Sequence, residues 1–258
     1  MGIEVHLVPF WDPFHEPLLP EMRRLGVVIH LPNSFDAVEP GDAVLGFCSM
    51  EFLAALPEIR QRTRRTVFVN CMTWLFEKER EAMAHGYISM FLYQNDSVRL
   101  KQMDELRSIN DNPEIRHVTF RPYFDDNRFP FVRHRTRETF GCGRISRQDA
   151  DKFAANTLHI YEYFVAPQLK RGLFLGFDHR SEEKIGKPHD WIRTARDQSE
   201  LSQQDFYAHC EIILQPTDTT ENWPRIGFEA MSSGSVLIVD NRGGWQQVIG
   251  HGKTGWLC

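Results

Sequence analysis

The stretch Glu221-Asn222-Trp223-Pro224-Arg225-Ile226-Gly227-Phe228-Glu229-Ala230-Met231 decides how the second half of the chain folds. It stands between two apolar segments, residues 212–214 and 235–239, that are typical of buried strands. Pro224 suits the first position of a helix, because its missing N–H would have no partner there and its φ is already helical. The pattern therefore predicts strand, loop, helix and strand, with Glu221 in the loop and Glu229 on the first or second helical turn.

The start of this predicted helix is a favourable place for an anionic or polyhydroxylated ligand. Backbone N–H groups there have no intrahelical partner and carry the positive end of the helix dipole. Taken alone, Glu221 and Glu229 are best explained as solvated acids, because the same dipole favours carboxylates at a helix start. A binding role for the two glutamates depends on what the rest of the chain places beside them.

The rest of the chain alternates short apolar strands with amphipathic helices. In the first half, strands are predicted over residues 4–9, 27–31, 42–47, 66–69, 89–93 and 117–120, with helices over 17–25, 50–62, 74–84 and 95–108. In the second half the pattern predicts strands at 139–141 and 173–175, helices at 150–164 and 202–209, and little regular structure over 179–198. This alternation predicts an α/β fold with parallel, doubly wound sheets.

A boundary between two such units is predicted near residue 134. Residues 125–137 contain five basic side chains, counting His134, and show no helical period. The strand and helix pattern resumes after them. We therefore predict two domains, residues 1–134 and 135–258, facing each other across a cleft.

The composition argues against several classes of protein. Hydrophobic residues at 41% and charged residues at 25% are ordinary for a globular protein. The net charge of −5 disfavours nucleic acid as a partner, no apolar run approaches the ~18 residues of a membrane span, and no signal-peptide pattern is present. The five cysteines lack metal-site spacing, so reduced thiols and a cytoplasmic location are expected. A basic cluster at residues 60–65 indicates a solvated helix end, or at most a peripheral membrane contact.

Four segments of the second half form an ordered set. They are residues 140–147 (Phe-Gly-Cys-Gly-Arg-Ile-Ser-Arg) followed by Lys152, residues 206–217 ending in Pro-Thr, the paired-glutamate stretch followed by Ser-Gly, and residues 241–257 with a Gly-Gly and a Thr-Gly turn. Together they resemble the donor-binding domain of GT-B glycosyltransferases, and most closely the retaining glycosyltransferase family 4. The resemblance implies two Rossmann-like domains, the acceptor side in residues 1–134 and the nucleotide-sugar side in residues 135–258.

The resemblance also implies roles for individual residues. Arg144, with Arg147 as the alternative, and Lys152 would stabilise the leaving diphosphate. Glu221 would hold hydroxyls of the donor sugar, and Glu229 would accept two ribose hydroxyls. The backbone of the loop and helix start would approach the sugar and the β-phosphate, through Asn222, Trp223, Pro224 and Arg225. Gly243 and Gly244 would form a tight turn close to the ligand, although a purely conformational role explains them equally well.

The function implied is transfer of a hexose from a UDP- or GDP-linked sugar to a hydroxyl of a glycan, lipid or natural-product acceptor, with retention of configuration. Retention would follow from front-face attack, with the departing diphosphate acting as base. No metal and no cofactor besides the donor are expected, because the basic residues replace a cation and no Asp-x-Asp loop is present.

The first half matches the family less specifically. The family often has a His after the fourth strand, where this chain has residues 69–74 (Val-Asn-Cys-Met-Thr-Trp), so no catalytic residue is assigned in this half. Asn70 and Thr73 are polar candidates for the cleft, although they are better explained as ordinary loop residues. The chain begins at what resembles the family's second strand and ends before its closing helices, so a member truncated at both ends is expected. Two alternatives stay open. A non-catalytic nucleotide-sugar-binding subunit or scaffold would bind donor without turnover, and a GT-B-like epimerase would convert donor without an acceptor.

Overall fold

The computed structural model describes residues 2–12, 18–133, 138–166 and 169–258. The chain divides into two compact units, Met1–Phe120 and Arg121–Cys258. The predicted boundary after His134 lies outside the described residues. Residues 121–132 belong to the second unit, where the Phe124 ring packs against the Phe228 ring with 5.7 Å between centroids.

The first unit begins with a small parallel pair of strands, β1 (His6–Leu7) and β2 (Val28–Ile29), connected by helix α1 (Leu19–Arg24). A four-stranded parallel sheet follows, with its strands side by side in chain order. Its strands are β3 (Ala43–Phe47), β4 (Arg65–Asn70), β5 (Met90–Tyr93) and β6 (Arg116–Thr119). The connecting helices are α2 (Met50–Arg62), α3 (Glu77–Ala84) and α4 (Asp96–Ile109). The predicted α/β alternation is confirmed in this half.

Helix α2 lies very close to strand β3 because of one glycine. A Cβ at Gly46 would lie 2.2 Å from the Phe52 ring, so no larger residue fits there without moving the helix. Leu56 and Ile59 of the same helix, together with Phe68 of β4, are fully buried in the core. Burial of each such side chain stabilises the fold by about 1.5–3 kcal/mol. The helix begins at Ser49, whose hydroxyl accepts the Phe52 N–H at 3.1 Å.

The second unit contains a six-stranded parallel sheet. In chain order its elements are β7 (Thr139–Ile145), α5 (Thr157–Tyr163), β8 (Leu169–Leu175), α6 (His179–Ile185), β9 (Ile192–Ala195), α7 (Gln203–His209), β10 (Ile212–Gln215), α8 (Arg225–Ser233), β11 (Val236–Val239), α9 (Trp245–Val248) and β12 (Trp256–Leu257). The strands lie in the order β12-β11-β10-β7-β8-β9. The chain thus starts in the middle, builds outward through β8 and β9, and then returns to build the other half from β10. This is the 3-2-1-4-5-6 order of the dinucleotide-binding fold, in which the direction reverses between the two central strands.

Two predictions for the second unit are wrong. The helix predicted over 150–164 is divided into a single 3-10 turn, Ala150–Lys152, and α5. The chain is extended at Phe153, which places that ring in the core. The stretch 179–198 is not irregular, since it contains α6 and β9. Both elements are short, and β9 is an edge strand with exposed middle residues, so neither has a strong hydrophobic period.

Within the described ranges, no helix has the combination of length and apolar composition needed to cross a bilayer.

Candidate functional site

The predicted site residues of the second unit gather at the carboxyl edge of its sheet. All six strands are parallel, so the loops that follow them emerge at the same edge. The loops after β7 and β10 meet where the strand order reverses, which is the point at which open α/β sheets bind their ligands. Lys152 from the first loop and Glu221 from the second form an ion pair there, with Nζ and Oε1 2.8 Å apart.

The Lys152–Glu221 pair lies at the surface but is not fully solvated. The two side chains are 22% and 21% exposed. Each therefore retains an accessible edge, and the pair can be exchanged for contacts to a ligand without unfolding the loops. An exposed ion pair of this kind contributes about 0–1 kcal/mol to stability, so the exchange costs little.

Arg144 lies directly behind this pair, near the end of β7, and is fully buried. Its Nη1 donates a 2.6 Å hydrogen bond to the carbonyl of Pro216, which links the two central strands across the reversal point. Its guanidinium carbon lies 3.9 Å from the centre of the Phe153 ring. Burial lowers the pKa of Arg144 to about 10, so the group is still charged at neutral pH.

The remaining donors of Arg144 make no hydrogen bond: both Nε and Nη2 are buried without a partner. Buried donors of this kind cost about 1–3 kcal/mol each and are rare in folded proteins. Glu221, Asp218 and Asp240 provide compensating negative charge near the guanidinium. Arg144 therefore fixes the two central loops and contributes positive potential to the site, while its own surface is covered.

Glu229 is on the second turn of α8 and is almost fully buried, with 3% of its surface exposed. The Tyr207 hydroxyl, from α7, donates to Glu229 Oε2 at 2.9 Å. Arg225 Nη2 lies 3.9 Å from Oε1, beyond hydrogen-bond distance. Burial raises the pKa of Glu229, while the Tyr207 hydrogen bond and Arg225 oppose that rise. Sequence reasoning missed Tyr207, because nothing in the pattern around it marks a polar contact.

Gly243 and Gly244 hold the loop that carries Glu221. The Gly244 N–H donates to the Glu221 carbonyl at 2.7 Å. A Cβ at Gly244 would lie 2.1 Å from the Asn222 carbonyl oxygen, and one at Gly243 would lie 2.6 Å from the Glu221 carbonyl oxygen. Gly243 also has φ of +57°, which favours glycine. Both positions therefore require a residue without a side chain if the two loops are to pack together.

The other predicted residues have different surroundings. Pro224 precedes the helix, which starts at Arg225, so the predicted helix start is wrong by one residue. The Trp223 ring packs against the Phe228 ring at 5.3 Å between centroids. Asn222 is buried, whereas Arg225 is 73% exposed.

Two arginines and two aspartates line a cleft of about 450 Å³ in the second unit. Arg147 lines the cleft and forms an ion pair with Asp149, with Nη2 and Oδ2 2.9 Å apart. Arg180 of α6 lines it as well, and sequence reasoning missed that residue because it falls in the stretch predicted to be irregular. Arg147 and Arg144 therefore differ in their surroundings, because the Arg147 side chain is 76% exposed whereas Arg144 is fully buried.

In the first unit, Asn70 is not an accessible polar group. It is fully buried, and its Nδ2 donates to Glu79 Oε1 at 2.8 Å and to Oε2 at 3.0 Å. Its Oδ1 accepts the Met72 N–H at 2.6 Å. Asn70 therefore holds the turn after β4. Thr73, in the same turn, is partly exposed.

The strand order of the second unit defines a Rossmann-like class of domain. Solved structures agree in fold. HepE from Anabaena, in complex with UDP and glucose, has a TM-score of 0.68 and 13% identity, with 98% of this chain and 77% of that one covered. A glycosyltransferase from Rickettsia africae has the same TM-score and identity, with 98% and 75% covered. The pneumococcal O-GlcNAc transferase GtfA, in complex with UDP and GlcNAc, has a TM-score of 0.61 and 18% identity, with 86% and 46% covered.

These proteins are GT-B glycosyltransferases, and the likeness shows that this chain has the α/β GT-B fold, built from two Rossmann-like domains. No protein-family model and no curated protein matches the sequence.

Proposed function

We propose that this protein is a glycosyltransferase that moves a hexose from a UDP- or GDP-linked sugar to a hydroxyl of a glycan, lipid or small-molecule acceptor. The observation that supports this most strongly is the Lys152–Glu221 ion pair at the reversal point of the second sheet, with the buried charge of Arg144 behind it. A cation and a carboxylate side by side match the two ends of a donor sugar, the diphosphate and the hydroxylated ring.

In this proposal the donor replaces the internal ion pair. Lys152 Nζ exchanges the Glu221 carboxylate for a phosphate oxygen, and Glu221 is then free to accept sugar hydroxyls. As the bond to the leaving diphosphate lengthens, its growing negative charge is stabilised by Lys152 and by the field of the buried Arg144. The backbone at the start of α8, from Asn222 to Arg225, would lie against the sugar and the β-phosphate.

Glu229 would bind the ribose of the nucleotide. Tyr207 already occupies Oε2, so Oε1 is the oxygen that would accept a ribose hydroxyl. The hydrogen bond from Tyr207 also fixes the carboxylate rotamer. The ribose would therefore meet an oriented acceptor rather than a flexible one.

We propose retention of configuration through front-face attack. The bond between the anomeric carbon and the diphosphate oxygen breaks, the acceptor oxygen bonds to the same face of that carbon, and its proton passes to the departing diphosphate. The assignment to family 4, a reaction without a metal ion and a cytoplasmic location belong to the same proposal. The ordered motifs from residue 140 onward and the basic groups around the site support it.

A screen of UDP-, GDP-, ADP- and dTDP-sugars by thermal shift and by donor hydrolysis tests this function. HepE and GtfA were solved with UDP, so UDP-glucose and UDP-GlcNAc are the first donors to use. We expect one donor class to raise the melting temperature and to be hydrolysed slowly, in the presence or absence of EDTA. Binding without hydrolysis or transfer would instead indicate a non-catalytic subunit, and conversion of donor alone would indicate an epimerase.

A further inference from the structure

Two cysteines of the first unit end neighbouring strands. Cys48 follows β3 directly and Cys71 follows β4 directly. The strands pair with Phe47 opposite Val69, and the Cys48 N–H donates to the Val69 carbonyl at 2.9 Å. Continuing this register places Asn70 opposite Cys48, and Cys71 is the residue after Asn70. With neighbouring strands about 4.8 Å apart and residues about 3.3 Å apart along a strand, the two Cα atoms are roughly 6 Å apart. A disulfide needs about 4.4–6.8 Å.

The backbone holds both cysteines in place. Cys48 has φ of +49°, an uncommon conformation for a residue other than glycine, so the chain turns sharply at that point. Cys71 follows Asn70, whose side chain is fixed by the hydrogen bonds to Glu79 described above. Each cysteine side chain is the largest influence on the pKa of the other. Both residues are partly exposed, so small reagents can reach them.

The environment makes the two sulfurs chemically different. The thiol of Cys71 donates to Cys48, which lowers the pKa of Cys48 to about 6. The same contact, together with burial, raises the pKa of Cys71. Glu79 is the titratable group that faces both sulfurs, and its charge opposes ionisation of Cys71. One member of the pair is therefore a thiolate at neutral pH and the other a thiol.

The other cysteines provide internal comparisons. Cys142 and Cys210 are fully buried, and burial raises the pKa of Cys142 to about 12. Buried thiols of this kind are unreactive. Cys258 is exposed. Reactivity that followed exposure alone would appear at Cys258 first.

We propose that Cys48 and Cys71 are a reversible oxidation site that forms an intramolecular disulfide when the protein meets a hydroperoxide. The Cys48 thiolate attacks one peroxide oxygen, the O–O bond breaks, and the second oxygen leaves as hydroxide or alkoxide and takes a proton. The resulting sulfenic acid on Cys48 is attacked by the Cys71 sulfur. The S–S bond forms as the S–O bond breaks, and the hydroxyl group takes the proton of Cys71 and leaves as water. In total two thiols lose two electrons and two protons, and the hydroperoxide is reduced to water and an alcohol or a second water. A dithiol reductant reverses the reaction.

The consequence for the fold is a covalent link between the ends of β3 and β4. The link would immobilise the turn after β4 that contains Thr73. This inference does not depend on the proposed function, because it concerns the first unit alone and is tested without an activity assay.

The test uses the complete wild-type protein, fully reduced and then treated with hydrogen peroxide at pH 7. Non-reducing digestion and mass spectrometry should find one peptide pair joined through Cys48 and Cys71, which dithiothreitol separates. Cys48 should react with iodoacetamide at least about tenfold faster than Cys258, because Cys48 is held as a thiolate by its surroundings. In urea this difference should disappear. The proposal would be overturned if Cys48 and Cys71 both remained thiols after the peroxide treatment, or if Cys48 reacted with iodoacetamide no faster than Cys258.

Three variants separate the steps. Cys71→Ser should leave a sulfenic acid on Cys48 that dimedone traps, whereas Cys48→Ser should leave Cys71 a thiol. Cys258→Ser is the matched control and should form the disulfide as the wild type does. A disulfide that forms in Cys48→Ser between Cys71 and another cysteine would contradict the assignment, as would failure of the Cys258→Ser control to form the link. The peptide map of the wild-type protein tests the proposal even if a variant does not fold.

Discussion

At the scale of single residues, Arg144 and Lys152 show two uses of a positive charge. Arg144 is buried, fixed by the Pro216 carbonyl and stacked on Phe153, so it acts through its field and through the position of the loops. Lys152 is partly exposed, and its ammonium is paired with Glu221 at 2.8 Å. A flexible ammonium that can leave its partner is the better candidate for direct contact with a phosphate.

Lys152→Ala should therefore lower turnover of the donor by about 10²–10³-fold, the usual effect of removing one group that stabilises transition-state charge. Lys184→Ala is the matched control. Lys184 forms a similar ion pair with Asp218, 3.4 Å apart, and donates to the Ala150 carbonyl, but it has no place in the proposed site. Steady-state kinetics of donor hydrolysis measures both variants. Equal losses of kcat in the two would argue against a leaving-group role for Lys152.

The two glutamates should separate nucleotide binding from sugar binding. Glu229→Ala is expected to weaken binding of free UDP by tenfold or more, or about 1.4 kcal/mol, because the ribose loses its acceptor. Glu221→Ala should leave UDP affinity unchanged and weaken binding of the UDP-sugar. Calorimetric titration with UDP and with UDP-sugar measures both effects. Unchanged UDP affinity in Glu229→Ala would remove the ribose assignment.

Tyr207→Phe controls for the structural part of the Glu229 effect. It keeps the carboxylate and removes the hydrogen bond to Oε2. We expect it to cost about 1 kcal/mol of unfolding free energy, more if the buried carboxylate finds no other donor. Its effect on UDP affinity should be smaller than that of Glu229→Ala. A loss of affinity as large as that of Glu229→Ala would mean that orientation, not the carboxylate itself, determines binding.

At the scale of elements, the packing of the loop after β11 against the loop after β10 sets the position of Glu221. Gly244→Ala tests this contact, because the added Cβ would lie 2.1 Å from the Asn222 carbonyl oxygen while the φ of −62° suits any residue. The loops must separate, so we expect binding of the UDP-sugar to fall by tenfold or more, or about 1.4 kcal/mol. Gly250→Ala is the control, since its Cβ would meet nothing closer than 3.7 Å. Equal affinities in the two variants would show that the Gly244 contact is unimportant.

The helices and strands also show how much of the fold the sequence can predict. The alternation of strands and helices was sufficient for the α/β class, and the ordered motifs from residue 140 onward were sufficient for the GT-B fold. Short elements were missed: α6 has seven residues and β9 has four, too few for a clear period. Lys152 was assigned to a long helix, but Asp149 caps a single turn there, its Oδ1 accepting the Asp151 N–H at 3.1 Å, and Phe153 then turns into the core.

Contacts between distant residues could not be predicted from the sequence. The resemblance gave Arg144 a role in stabilising the leaving diphosphate, but nothing in the sequence indicated that its side chain would be fully buried, which is rare for a charged residue. Its burial depends on the Phe153 ring and the Pro216 carbonyl, which are brought to it only by the fold. Likewise Tyr207 meets Glu229 across 22 positions of the chain. A single sequence carries no signal for either contact.

At the scale of the whole molecule, the buried Glu79 and the partly buried His117 should give opposite pH dependences of stability. Burial raises the pKa of Glu79 from 4.5 to about 7, whereas burial lowers the pKa of His117 from 6.5 to about 4. Between about pH 4.5 and 7 the folded state keeps a proton on Glu79 that the unfolded state has released, so Glu79 makes the stability fall as the pH rises. The unfolded state holds the His117 proton that the folded state lacks, so His117 makes stability rise with pH.

Each group changes the unfolding free energy by about 1.4 kcal/mol per pH unit, and the two changes have opposite signs. They should therefore nearly cancel from about pH 4.5 to 6.5. We therefore expect the wild type to show a flat profile. In Glu79→Gln only His117 still titrates, so the unfolding free energy of this variant should rise by about 3 kcal/mol as the pH increases across this range. In His117→Gln only Glu79 still titrates, so the unfolding free energy should fall by a similar amount. Hydrogen exchange of the β4 and β5 amides, corrected for intrinsic rates, reports unfolding of the first unit specifically. The double variant should again be flat, and slopes of the same sign in the two single variants would show that burial does not control these groups.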